Sequence, residues 1–254
     1  MTNNLALAPT SGNLPSTEMY DADAGLSSGI RTQDMAMPFL QILQSNSPQI
    51  DRADPKYVPG AEVGMFYNTV THDLAPEVKV VPIFQRTTYI EWKTRESGGG
   101  FVADHGEAGG VELLRTTKKD EKGRDILPNG NQLVKTMTFV AAIINDAGAF
   151  EPVVINFTST QLKKARNWNT LISRLAHPND QSRTLGNIIF AGTYTFKTVP
   201  EQNDKGKWRG FHIESTGYTP AGAYARAKEL HLSLAGGATK VDLSRAEGGD
   251  EVPF

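Results

Sequence analysis

Two short clusters carry the side chains best suited to chemistry. Arg86, Tyr89, Trp92 and Lys93 lie within eight residues, and Trp208, Arg209 and Phe211 lie within four, beside Lys205 and Lys207. Cations at this density neutralise phosphates, and flat rings beside them stack on unpaired bases, a mixture suited to single-stranded nucleic acid. Each stacked base contributes about 1–3 kcal/mol, so two or three such rings give useful affinity. The same rings also suit the core of a β protein, and the two roles make opposite demands on exposure.

Other chemistry is harder to assemble. Ile90-Glu91-Trp92-Lys93 has the apolar-Glu-x-Lys pattern of metal-dependent nuclease strands, with Asp73 or Glu77 as a second carboxylate for Mg²⁺. The pattern is too short to specify an enzyme, and the expectation is a non-enzymatic protein with no cofactor and no bound metal. The five histidines (72, 105, 177, 212 and 231) show no metal-ligand spacing. Gly98-Gly99-Gly100 and Gly109-Gly110 are not followed by Gly-Lys-Ser or Gly-Lys-Thr, so no phosphate-binding P-loop is present. Zero cysteines exclude disulfides and thiolate nucleophiles.

These residues need a frame. At 254 residues, with 39% hydrophobic and 21% charged side chains, the chain can bury a sizeable core. No run approaches the roughly 18 apolar residues of a membrane span, and no secretory signal opens the chain. The expectation is a cytoplasmic protein with no membrane partner. Residues 1–35 carry −3 and 236–254 carry −2, whereas 36–235 hold 23 basic and 20 acidic residues, or +3. A mildly basic body between acidic ends suits transient contact with a polyanion.

The organisation follows the same division. Residues 1–35 lack periodicity and read as a disordered segment; 36–235 read as one domain; 236–254 read as a flexible acidic tail. Strand patterns run over Val63–Val70, Glu77–Lys93, Leu133–Asn145 and Phe150–Phe157, with Pro82 marking a bulge or an edge. Thr94–Gly130 reads as a Gly-rich, then charged, insertion whose Arg115, Lys118, Lys119, Lys122 and Arg124 form either a basic arm or an ordinary solvated loop. Leu162, Ala165, Trp168, Ile172 and Leu175 mark one face of a helix, with Thr158 and Gln161 spaced as a capping box and His177-Pro178 as its stop. Ile188–Val199 and Lys207–Tyr218 form a closing hairpin, and Ala221–Leu234 a second helix. Strands, a helix, then a hairpin is the order of an expanded OB-like antiparallel barrel, mainly β with helices (α+β), with disordered tails. A β-sandwich with added helices is the competing arrangement.

The chain ends Asp250-Glu251-Val252-Pro253-Phe254. An aromatic ring beside a free carboxylate, preceded by acids, fits an apolar pocket rimmed with Arg or Lys on a partner protein. This ending resembles the acidic, Pro-Phe-terminated tip of bacterial single-stranded-DNA-binding proteins, and the chain as a whole resembles a single-stranded-DNA-binding protein of tailed bacteriophages. Gly64-Met65-Phe66-Tyr67-Asn68-Thr69-Val70-Thr71 is similar to a segment of phage proteins. The resemblance to the bacterial tips covers about the last eight residues, and the acidic run is sparser here than in them; the rest of the resemblance is architectural. It implies single-stranded DNA as ligand, docking of replication or recombination proteins through Asp250 to Phe254, and residence in the bacterial host cytoplasm if phage-encoded. A homo-oligomer is compatible with it. A strand-annealing recombination protein, the Mg²⁺-dependent nuclease and a virion structural protein are the alternatives.

Overall fold

The computed structural model describes residues 16–23, 36–204 and 206–237. The expected tail 236–254, with the tip Asp250 to Phe254, lies outside the described residues beyond Gly237. Residues 1–36 form a unit separate from 37–254. Within the stretch expected to lack structure, Thr17–Asp23 form a short helix, α1, with Glu18 in its first turn where a carboxylate complements the helix dipole.

The remaining described residues build mostly antiparallel β structure around a curled half-barrel, an α+β, OB-like arrangement. Its strands are β1 (Leu40–Ile42), β2 (Phe66–Asn68), β3 (Leu74–Ala75), β4 (Glu77–Trp92), β5 (Phe101–Asp104), β6 (Lys118–Lys119), β7 (Asp125–Ile126), β8 (Gln132–Ile144), β9 (Phe150–Thr158), β10 (Ala176–His177), β11 (Asp180–Thr184), β12 (Gly192–Asn203) and β13 (Gly206–Tyr218). The helices of this unit are α2 (Gly106–Leu114), α3 (Leu162–Ser173) and α4 (Ala221–Ala235). The main sheet runs β13-β12-β4-β8, with β9 on the outer side of β8. Three consecutive strands, a helix and a returning hairpin on the first strand make the OB order.

β4 is long enough to serve two partners on one edge. Its first residues pair with β12, from Glu77↔Lys197 to Val80↔Tyr194, and its last with β5, from Ile90↔Asp104 to Trp92↔Phe101. Along the other edge it pairs with β8 throughout, except for a bulge between Pro82 and Phe84. Pro82 therefore marks a bulge, as its missing N–H requires. The bulged Ile83 keeps its carbonyl satisfied through His231 on α4, whose Nδ1 donates to it at 2.7 Å.

Both faces of the central strands are buried, so they are apolar almost continuously. One face, with Val80, Phe139 and Phe157, packs around α3, whose Trp168 stacks on Phe139 at 4.3 Å between ring centroids. The other face, with Val81, Ile83, Val140 and Ala142, is covered by Ala227 and Leu234 of α4. Removing the Trp168 ring would cost about 3–5 kcal/mol.

The two end strands, β9 and β13, do not pair with each other, and other groups terminate their edges. Val154 of β9 donates its N–H to the Pro38 carbonyl at 2.8 Å. On β13, Gln44 Oε1 accepts the Arg209 N–H at 2.8 Å and Gln44 Nε2 donates to the Arg209 carbonyl at 3.0 Å. Gln161 Oε1 accepts the Phe211 N–H at 3.1 Å. Gln161 is thus a tertiary ligand, and the capping box expected with Thr158 does not form: neither Thr158 nor Gln161 makes a side-chain cap bond.

The Thr94–Gly130 insertion is structured rather than an open loop. It holds β5, α2, β6 and β7. Gly110 makes α2 possible there: a Cβ at that position would sit 2.2 Å from the Tyr89 Cβ. The glycines that permit this approach also weaken helix propensity, which hides α2 from periodicity.

Candidate nucleic-acid interface

The gap between the ends of the half-barrel opens into a concave groove of about 680 Å³. Its walls come from β1, the end of β4, the insertion, β8, β9 and β13. Ile90, Trp92, Leu133 and Phe211 are among its apolar lining residues. Lys93, Lys119, Lys122, Arg124, Lys135 and Arg209 line it, with Asp125 the one acid among its described lining residues. Some of this charge is held internally: Lys119 bonds Asp125 at 2.7 Å and Arg124 bonds Asp120 at 2.6 Å. Lys93 is exposed on the rim. A groove with a partly apolar lining and excess cations concentrates a positive field on whatever anion enters it.

The residues singled out in the sequence fall into three places. Trp92, Lys93, Arg209 and Phe211 line the groove. Trp208 lines a smaller depression next to it. Arg86 and Tyr89 line neither. Arg86 pairs with Asp104 at 2.9 Å, and Asp104 also accepts from Thr88 and from the Gly106 N–H.

The rings are already occupied. Tyr89, Trp92, Trp208 and Phe211 are all 9% exposed or less. Tyr89 packs with Leu127 and Leu133, Trp92 meets Phe101 edge-on at 5.8 Å, and Phe211 lies 4.7 Å from Phe157. The Trp208 indole N–H donates to Glu201 at 2.8 Å. Of the two roles open to these rings, stacking needs free faces, and the sheet turns these faces inward. A base stacking fully on any of them must first displace protein.

The basic-arm expectation divides likewise. Lys119, Lys122 and Arg124, on and between β6 and β7, reach the groove, while Arg115 and Lys118 do not line it. Sequence reasoning passed over Lys135, whose ammonium lies 5.7 Å from the Tyr89 ring centre, and Gln44, and it gave Gln161 only the role of a helix cap. Lys135 was findable as one of the few charged positions inside a strand pattern. Nothing local marks either glutamine as the end of a strand edge.

Both Glu91 carboxylate oxygens are engaged by neighbouring side chains. One oxygen accepts from Asn129 at 2.8 Å and Asn131 at 2.5 Å, and the other meets His105 Nε2 at 2.7 Å. Burial pushes its carboxyl up, but the bonds from Asn131, Asn129 and His105 outweigh it and hold the group below its ordinary value. Asp73 instead accepts from Thr71, and Glu77 lies at the far end of β4, 3.9 Å from Lys197. Among the described residues no group of three or more His, Asp or Glu could hold a metal ion.

A family described as Pam3 phage gp34-like protein matches residues 9–240. The chain belongs to the Pam3 phage gp34-like family. The match takes in the half-barrel, the insertion and α4, so every wall of the groove belongs to the family's matched span. This member is therefore phage-associated. No curated protein and no solved structure matches it. No helix among its described residues is long and apolar enough to cross a membrane.

Proposed function

We propose that this phage protein binds single-stranded DNA without sequence preference, through the cation-lined groove, during phage DNA replication or recombination. One observation carries the reading: six cationic residues and a single acid are found among the described lining residues of a partly apolar groove, on the part of the barrel where OB folds take oligonucleotides, the second and third strands and the loop joining the first two. Here those elements are β8, β9 and the insertion between β4 and β8. Lys93, Arg209 and the Lys119–Arg124 hairpin neutralise phosphates. Bases lie along the groove's apolar lining beside Trp92 and Phe211. The binding is non-enzymatic and needs no cofactor. The tip Asp250 to Phe254 docks replication or recombination proteins, and the site of action is the bacterial host's cytoplasm.

Fluorescence anisotropy of labelled single-stranded and duplex oligonucleotides across a salt series tests this. Single-strand preference with log K falling linearly in log salt is the expected result. Equal affinity for duplex, or no binding at low salt, overturns it.

A further inference from the structure

The smaller depression, of about 510 Å³, is lined by Thr160, Lys163, Lys164, Asn167, Glu201, Gln202 and Trp208. Thr160 also lines the large groove, so the two concavities meet at that residue. Its one acid is engaged. Glu201 takes Lys164 at 2.7 Å, the Trp208 indole at 2.8 Å and Gln161 at 3.2 Å. Gly210 is what admits that carboxylate, because a Cβ there would sit 2.3 Å from Glu201 Oε2. Glu201 and Lys164 cancel, which leaves Lys163 as the uncompensated charge, exposed and with no ion-pair partner among the described residues.

We propose that this depression is a second subsite for the same nucleic-acid strand, which leaves the groove over Thr160 and places a phosphate against Lys163. The inference rests on the groove reading. A polyanion following the positive path from Arg209 past Thr160 meets Lys163 next. Asn167 and Gln202 add amide groups that both donate and accept, suited to sugar and base edges of any sequence. The locked Glu201 fixes the wall without presenting an unpaired anion. A strand too short to cross Thr160 never reaches Lys163, so this subsite adds affinity only beyond a threshold length.

The test compares wild type, Lys93→Gln and Lys163→Gln with oligothymidylates of about 4 to 16 nucleotides, the span of site sizes for one OB fold. Thermal melts first establish that both variants fold as wild type does; both positions are exposed. Lys93→Gln should flatten the log K against log salt slope by about 0.7 at every length. Lys163→Gln should leave the shortest strands unchanged and flatten the slope by about 0.7 only for the longest. If Lys163→Gln has no effect at any length while Lys93→Gln does, the second subsite is overturned and the groove stands. An equal effect of Lys163→Gln at all lengths also overturns it, since the depression is then no extension. If wild type binds no oligonucleotide, the groove reading falls and takes this inference with it.

Discussion

Gln44 holds the backbone of Arg209 at both ends, accepting its N–H at 2.8 Å and donating to its carbonyl at 3.0 Å. A single amide side chain thus does the work of a neighbouring strand at one residue of β13, and it does so at the wall of the groove. Where a closed barrel would pair β13 with β9, this protein substitutes side chains and leaves a gap.

Gln44→Ala leaves a backbone donor and acceptor unpaired beside the groove. Such a loss costs about 1–3 kcal/mol. Urea unfolding should show a lower midpoint with an unchanged m-value, and an unaltered midpoint would mean that water replaces the amide without penalty.

Glu91 should make stability pH-dependent on the acid side. Its folded-state carboxyl is held below the ordinary value, the upward push of burial being outweighed by Asn131, Asn129 and His105. The stabilisation is therefore fully present above the unfolded-state pKa and is lost as pH falls through the folded one. Glu91→Gln keeps an acceptor for Asn129 and Asn131 but sets its NH2 against the His105 N–H, and should cost about 1–3 kcal/mol at neutral pH. The difference from wild type should shrink on acidification, and a gap constant with pH would contradict the assignment.

Glu151 should behave in the opposite sense. Burial, and then the charge of Asp73, push its carboxyl up, against a 2.5 Å bond donated by Asn68. A raised folded-state pKa means that stability is greatest below the unfolded value and declines as pH rises through the folded one. Glu151→Gln keeps the acceptor for Asn68 and removes that decline. A higher melting temperature at neutral pH is expected, with the gain vanishing at low pH.

Core and groove should separate by mutation. Phe211→Ala, at a residue 5% exposed among Phe66, Phe157 and Phe196, should cost about 3–5 kcal/mol of folding stability. Lys93→Gln should leave the melting temperature alone and weaken oligonucleotide binding. Circular dichroism melts beside anisotropy titrations check both; a stable Phe211→Ala variant with selective loss of binding would make the ring a stacking platform after all.

Tyr194 is fully buried, and its hydroxyl, with a pKa pushed up to about 12 by burial, has no hydrogen-bond partner among the described residues. An unpaired buried hydroxyl costs about 1–3 kcal/mol, so Tyr194→Phe should raise the unfolding midpoint. A lower midpoint would reveal a bond made through bound water.

Local chemistry in the sequence was enough for the frame. The alternation through Glu77–Lys93 and Leu133–Asn145, the turn before Phe150 and the three-and-four spacing from Leu162 each express a period that a strand or helix imposes on its own residues. β4, β8, β9, α3, the β12–β13 hairpin and α4 accordingly lie where those periods place them. The antiparallel pairing of β8 with β9 and of β12 with β13 follows from the short turns that join them. Val63–Val70 shrank to Phe66–Asn68, because most of that run turns rather than pairs. What the tertiary structure alone decided is which way each ring faces and which side chain finishes which edge. Trp92 and Trp208 are placed in the sequence as a stacking pair would be, yet their exposure depends on Phe101 and Glu201, which lie nine and seven residues away. Gln44 and Gln161 have no period at all. They act across 165 and 50 residues of chain, on backbone groups made available only when β13 reaches the end of the sheet. Periodicity records how a residue sits on its own element; the groove arises between elements, where only the assembled fold brings its walls together.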